Sequence, residues 1–256
     1  MPASRYPDWE SLEIRSAGDT PVAFCADLSP ASVLGAYLRG IVPVPAPDEY
    51  FRTLNEVRYE DRVADGTIGL VGGGRDDPYW VAWYSPDPRP VICAGRVHLG
   101  RNVRKQLRRS DMQTTANASF GRVAEECGAD REPRWLTDGL VRTLTELHRG
   151  GWAHSIEVWL DGDLIGGAMG IGIGGVISGD SLFSRHPGAG RVAVADMAAR
   201  LAQAGGILLD AQWDSPFLTS LGAELLPRER YLPLLARPAR RVAIPGDRLA
   251  ARRLLF

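Results

Sequence analysis

The chain has 256 residues, of which 45% are apolar and 24% charged, and its 30 Lys+Arg against 31 Asp+Glu leave a formal net charge of −1. Such a composition excludes wholesale disorder and fits one large domain or two unequal ones. No stretch of ~18 continuous apolar residues offers a spanning helix, and the opening MPASRYPDWESLE lacks a basic segment followed by an apolar one, so no membrane partner and no secretory signal are expected. The expectation is a cytoplasmic protein. Cys25, Cys93 and Cys127 are too widely spaced for a disulfide framework or a zinc knuckle, and no metal site is expected.

Pro30 to Arg39 reads as the first helix: Ser29 can cap it, Pro30 occupies the tolerated first position, and Gly40 can take the left-handed stop. Residues 42–79 read as irregular, with Pro43, Pro45 and Pro47 at the start and Gly72-Gly73-Gly74 near the end. Ser85-Pro86-Asp87-Pro88-Arg89 is a rigid turn, and it suggests a small N-terminal domain over 1–86 and a larger one over 87–256. From Arg96 to Arg109 the chain carries six cations and no carboxylate, and Arg237 to Arg253 holds six arginines against Asp247. Arg101, Arg104, Lys105 and Arg108 fall three or four residues apart, a spacing that suits a polyanion as well as a plain solvated helix face.

Further on, Thr137 can cap a helix with Leu140, Val141, Leu144 and Leu147 on one face, stopped at Gly150-Gly151. His154 to Leu160 alternates as a strand, Asp161-Gly162 turns it into a second strand from Leu164, and a third returns over Val176–Phe183. A helix over 191–204 and a buried strand at Ile207-Leu208-Leu209 complete the pattern. Hairpins followed by a helix and another strand predict a mixed α/β (α+β) sheet.

Three motifs invite chemistry. Gly170-Ile-Gly-Ile-Gly-Gly175 satisfies the dinucleotide-binding spacing, but a strand rather than a helix follows, so it reads as close backbone packing and a turn. Gly179-Asp-Ser-Leu182 matches a serine-esterase block, yet the last histidine, His186, lies five residues beyond Ser181, too near to act as that class's base. Arg185-His-Pro-Gly-Ala-Gly190 reads equally as the pyrophosphate loop of acyl-CoA N-acetyltransferases or as an ordinary turn into a helix.

Taken together, Asp27-Leu-Ser-Pro30, Ala36-Tyr-Leu-Arg-Gly-Ile41, Trp83-Tyr-Ser-Pro-Asp-Pro-Arg89, Ala153-His-Ser-Ile-Glu-Val-Trp159, Gly179-Asp-Ser-Leu-Phe-Ser-Arg185, Leu209-Asp-Ala-Gln212 and Leu218-Thr-Ser-Leu-Gly222 resemble the leucyl/phenylalanyl-tRNA–protein transferase family. The resemblance covers 25–45 and 80–235, in family order. It implies an N-acetyltransferase-like mixed-sheet domain preceded by a smaller N-terminal domain. It also implies transfer of Leu, or another apolar amino acid, from charged tRNA, tRNA-Leu first, to a basic amine, with no cofactor because the aminoacyl-tRNA is a substrate. Carried over by this resemblance, Asp210 and Gln212 are the catalytic pair and Asp180 and Ser181 bind the acceptor. Ala168, Ile177, Leu182 and Val44 form the aminoacyl pocket, and Arg101, Arg104, Lys105, Arg108, Arg109 and Trp83 bind tRNA. Asp180 replaces the family's glutamate, one methylene longer, and Val44 its tryptophan. These departures point to a small basic metabolite as acceptor, the alternatives being a protein N-terminal Arg or Lys, an acyl-CoA N-acyltransferase, and a tRNA-binding protein without catalysis.

Overall fold

The computed structural model describes residues 8–15, 18–72, 76–129, 132–235 and 241–256. In chain order the elements are β1 (Ala23–Phe24), α1 (Pro30–Leu38), β2 (Val42–Pro45), α2 (Glu49–Ala64), β3 (Gly69–Leu70), β4 (Val81–Tyr84) and β5 (Arg89–Cys93). They continue with α3 (Arg101–Arg109), β6 (Gln113–Ala116), α4 (Phe120–Gly128), α5 (Asp138–Arg149), β7 (Ala153–Leu160), β8 (Asp163–Ile173) and β9 (Val176–Ser184). The last are α6 (Ala189–Gln203), β10 (Leu208–Asp210), α7 (Pro216–Ser220), β11 (Glu224–Leu226), α8 (Arg228–Leu235) and β12 (Leu249–Ala250), followed by a 3-10 turn at Ala251–Leu255. No helix among the described residues is long and apolar enough to cross a membrane.

Two compact units result. One comprises the described residues up to Asp87 together with Gly128–Glu146, the other Pro88–Cys127 with Leu147–Phe256. A single cut after residue 86 leaves out the 128–146 excursion, because turn chemistry marks where a chain bends and not which unit a later segment rejoins. Arg237 and Arg240, two of the second basic stretch, and Gly73-Gly74 of the glycine run lie outside the described residues.

In the first unit the strand order is β2-β4-β1-β3. Trp83 is fully buried there: its indole N–H donates to the Cys25 carbonyl at 2.8 Å and its ring lies 4.6 Å from that of Trp9. The α1 helix is capped as its sequence predicts, Ser29 Oγ accepting from Ser32 N–H at 3.3 Å, and Gly40 takes φ +66°. The expected irregular stretch instead contains β2 and the 16-residue helix α2. Asp48 caps α2 through the Phe51 N–H, Arg52 bridges Glu56 and Asp77, and Tyr59 is the one side chain it buries. Its apolar Tyr50, Leu54 and Val57 face solvent, so its sequence lacks the core-facing stripe by which a helix is recognised.

The second unit shows the predicted mixed α/β sheet, ordered β11-β5-β10-β9-β8-β7-β6-β12. Asp161 and Gly162, at φ +53° and +90°, form the expected two-residue turn between β7 and β8. The β9–α6–β10 crossover sets β9 and β10 parallel, with Leu209 beside Ile177 and Asp210 beside Ser178. Helix α6, mostly small and apolar but carrying the buried Asp196–Arg200 ion pair, is buried almost all round and packs over β7, β8 and β9. Gly170 pairs with Gly179 while Met169 pairs with Ser181, so Asp180 is the extra residue of a β-bulge. A Cβ on Gly170 would stand 2.2 Å from the Ser178 carbonyl oxygen, so this glycine's role is close backbone packing at the bulge.

Candidate active site

Asp210 ends β10 with a carboxylate that is 0% exposed. Its Oδ2 accepts from Arg89 Nη1 at 2.6 Å, Tyr231 OH at 2.8 Å and Ser178 Oγ at 2.9 Å, and its Oδ1 accepts from the Gln212 backbone N–H at 2.9 Å. Arg89 is equally buried and lies over the Tyr231 ring, 4.5 Å from its centroid. A buried carboxylate persists only with this kind of compensation, one cation and several donors. Burial, reinforced by the Asp210 charge, pushes the Tyr231 phenol well above its ordinary range, so the hydroxyl remains a donor.

Strand alternation places Asp210 and Gln212 on one face, but the chain leaves the strand at Asp210, and Gln212 adopts φ +63°. The left-handed turn gives Asp210 the Gln212 main-chain N–H and swings the side chain elsewhere. Gln212 Nε2 donates to Ser178 Oγ at 3.1 Å and to Asp180 Oδ1 at 2.8 Å. The connection from Asp210 to the Gln212 amide therefore runs through Ser178, and the amide ends against the Asp180 carboxylate. The carboxylate can only accept, so the atom facing it is the nitrogen and the orientation of the amide is determined. Both Nε2 protons are thereby engaged, and Oε1 is left to accept a hydrogen bond.

The bulge also decides the surroundings. Ser178 and Ser181, three apart, would point to opposite faces of a regular strand; the inserted Asp180 puts both on the face that carries Asp210. Ser181 Oγ is buried and has no hydrogen-bond partner among the described residues, an unsatisfied polar atom beside the Asp210 cluster.

The expected aminoacyl-pocket residues are not gathered here. Ala168 pairs with Leu182, and Gly172 with Ile177, on the opposite face of the sheet. Ala168 and Ile177 are buried in the core that includes α6, and Leu182 reaches Gly190 at the start of that helix. Val44 lies on β2 of the first unit, half-buried, and Trp83 is sealed in that unit's core rather than presented to a ligand. Arg89, Ser178 and Tyr231 are absent from the set derived from sequence. They come from three separate elements, and Arg89 and Asp210 are 121 residues apart.

The cations of α3 divide. Val103 and Leu107 anchor the helix, while Arg101, Lys105, Arg108 and Arg109 are exposed and form no ion pair among the described residues. Arg104 is turned inward, donating to the Leu255 carbonyl at 3.2 Å. Lys105 and Arg109 line a cleft of about 470 Å³ with Met112, Leu160 and His186. In the Arg185–Gly190 loop, Ala189 N–H is taken by the His186 carbonyl and Gly190 N–H by Ser184 Oγ, while Arg185 pairs with Glu126. Those amides are satisfied within the protein, as in an ordinary turn into a helix. Among the described residues no His, Cys, Asp and Glu group could hold a metal ion.

Comparison with known proteins bears on the whole of this unit. The model of the family described as leucyl/phenylalanyl-tRNA protein transferase matches residues 91–236. The leucyl/phenylalanyl-tRNA–protein transferase of Klebsiella pneumoniae (strain 342) is 37% identical over 216 residues, 84% of this chain and 80% of that protein. That of Novosphingobium aromaticivorans is 41% identical over 187 residues, 72% of this chain and 70% of the relative. Among solved structures, a GCN5-related N-acetyltransferase from Kribbella flavida overlaps 55% of each chain at 12% identity and a TM-score of 0.31, too loose a match to define the architecture, which stands on the strand order itself. The similarity in sequence, extending over most of the chain and, in the family model, over Ser178, Asp210 and Tyr231, places this protein in the leucyl/phenylalanyl-tRNA–protein transferase family, a family of aminoacyltransferases.

Proposed function

We propose that the protein transfers leucine, or a similar apolar amino acid, from charged tRNA to the amine of a small basic acceptor. Gln212 Oε1 accepts a hydrogen bond from the attacking amine, Asp180 holds the acceptor's cationic group, and Asp210 fixes the Gln212 main chain and, through Ser178, its amide. The observation that carries this reading is the commitment of both Gln212 Nε2 protons, which leaves the side chain able to receive an amine and unable to donate to the ester carbonyl. An aminoacyl ester is already activated, and an α-amine with pKa ~7.7–8.0 is appreciably neutral near pH 7. A C–N bond forms, the ester C–O bond breaks, and the proton released by the amine ends on the ribose oxygen. Positioning of the two substrates is the main task left to the protein.

The exposed cations of α3 support tRNA as donor. Arg108 and Arg109 at its C-terminus complement the helix dipole, but Arg101 in its first turn opposes it, and Gly100 adds no side-chain cap. Stability alone does not account for that row, whereas a phosphate backbone does. Support for a small acceptor is the short reach of Asp180, whose carboxylate is already joined to the Gln212 amide.

The test is transfer of labelled Leu, Phe and Met from their charged tRNAs to a small basic amine and to a peptide beginning with Arg. Leu moving faster to the small amine is the expected result. Faster labelling of the peptide would replace the metabolite with a protein N-terminus. Acylation from an acyl-CoA with none from tRNA would overturn the reading altogether. Asp180→Asn is expected to weaken the basic acceptor tenfold or more, and Asp180→Glu to shift preference toward the peptide.

A further inference from the structure

The family model stops at residue 236, yet the described stretch 241–256 is built firmly into the second unit. Its strand β12 lies antiparallel on β6, with Leu249 beside Thr114 and Ala250 beside Gln113, and Ala251 N–H donates to the Met112 carbonyl at 2.8 Å. From α6, the wholly buried Arg200 clamps it, donating to the Pro245 carbonyl and, at 2.8 Å, to the Asp247 carbonyl. Asp196, beside Arg200 on the same helix, also binds Arg253. The terminal 3-10 turn then rests against α3: Leu254 and Leu255 pack on the cluster that includes Val103 and Leu107, and Arg104 donates to the Leu255 carbonyl.

This strap brings charge to a place already rich in it. Arg248 and Arg252 are exposed. Arg252 makes no hydrogen bond or ion pair among the described residues, and Arg248 meets only neutral groups, Gln113 Oε1 at 3.0 Å and the Trp159 ring at 5.3 Å. They flank β12 beside the short link, residues 110–112, that joins the C-terminal end of α3 to β6. The exposed cations of α3 and of the strap thus lie on either side of this link, with one exposed carboxylate in the link, Asp111, and one in the strap, Asp247, set against them. Like charges gathered on one surface repel, and a partner bearing regularly spaced negative charge removes that cost.

We propose that the C-terminal strap and α3 form one continuous tRNA-binding surface, on which Arg248 and Arg252 add phosphate contacts to those made by α3. The inference rests on the tRNA-dependent reading above, and its test separates the two. Binding of leucylated tRNA is measured between 50 and 200 mM salt for the full chain, for Arg248→Gln/Arg252→Gln, and for Arg101→Gln/Lys105→Gln/Arg108→Gln. Each lost contact lowers the log–log salt slope by roughly one, so the ratio of affinities at the two salt concentrations shrinks roughly threefold to fourfold per contact. The strap variant is expected to lose a slope of about two. An unchanged slope for the strap variant beside a reduced one for the α3 variant would overturn the strap proposal and leave the donor reading intact; unchanged slopes in both would overturn the two together. Because Arg248 lies on Trp159, Arg252→Gln alone is measured as well, with thermal unfolding as the control for folding. A slope lowered by about one in that variant supports the strap contact, and an unchanged slope overturns it.

Discussion

Arg89 meets Asp210 where neither side chain is exposed to water, and the consequences of breaking that pair are asymmetric. Arg89→Met strands a buried carboxylate and is expected to cost about 3–5 kcal/mol, read as a fall in Tm of roughly 6–20 °C for a chain of this size. Arg89→Met/Asp210→Leu removes both charges and should recover part of that loss, and a double variant as unstable as the single one would contradict the pairing. Ser178→Ala cuts the path from Asp210 to the Gln212 amide, with an expected drop in kcat of about tenfold and a smaller change in the KM for charged tRNA. His154 offers a separate test. Burial, then the neighbouring His148 charge, lowers its pKa from 6.5 to about 4. The Asn117 amide, whose oxygen accepts the Ser155 N–H, donates Nδ2–H to His154 Nδ1 and so fits the neutral ring. The unfolded chain binds the proton first, so stability is full above pH ~6.5, falls as the pH drops from there to about 4, and changes no further from this group below that. Denaturant unfolding of His154→Gln should show a flatter profile in that window, by on the order of 3 kcal/mol at most.

Elements here are governed by how their ends and interruptions are built. The β-bulge at Asp180 brings Ser178, Asp180 and Ser181 to one side while Leu182 still points into the core. Gly170→Ala, which would drive a Cβ into the Ser178 carbonyl, is therefore expected to reduce transfer more than it reduces the content of secondary structure, as read by activity and circular dichroism together. Helix α2 depends on its cap more than on its packing, since it buries only Tyr59. Asp48→Ala should cost about 0.5–2 kcal/mol and accelerate hydrogen exchange across Glu49–Ala64. Unaltered exchange there would show that the Arg52 bridges, not the cap, hold the helix.

At the scale of the whole molecule, the charge is balanced overall and unbalanced locally. A net charge of −1 coexists with an α3 helix in which five of nine residues are cationic. Tight binding at low salt, strongly weakened as salt rises, is expected of such a surface, in contrast to the Asp210 cluster, which is shielded from bulk ions by burial. Transfer to a small acceptor measured at saturating charged tRNA should accordingly change little between 50 and 200 mM salt, while the KM for tRNA rises steeply. Equal salt sensitivity of the two would place the charged surface at the acceptor rather than at the donor.

The motifs Trp83–Arg89, Gly179–Arg185 and Leu209–Gln212 identify the family from sequence alone, and the hairpin from His154 to Phe183 is legible because its strands alternate and its turn carries Asp-Gly. Those features are local, encoded in residues adjacent along the chain. Helix α2 is hidden, since three prolines precede it and its apolar residues face outward, so neither composition nor periodicity announces it. The aminoacyl-pocket set of Ala168, Ile177 and Leu182 is carried over by the family resemblance, whereas the face each residue takes is decided by register across β8 and β9, to which a single strand's sequence is blind. Tertiary structure alone brings Arg89, Ser178 and Tyr231 to Asp210, because a buried carboxylate must collect its donors from wherever the fold passes close, and three different elements supply them.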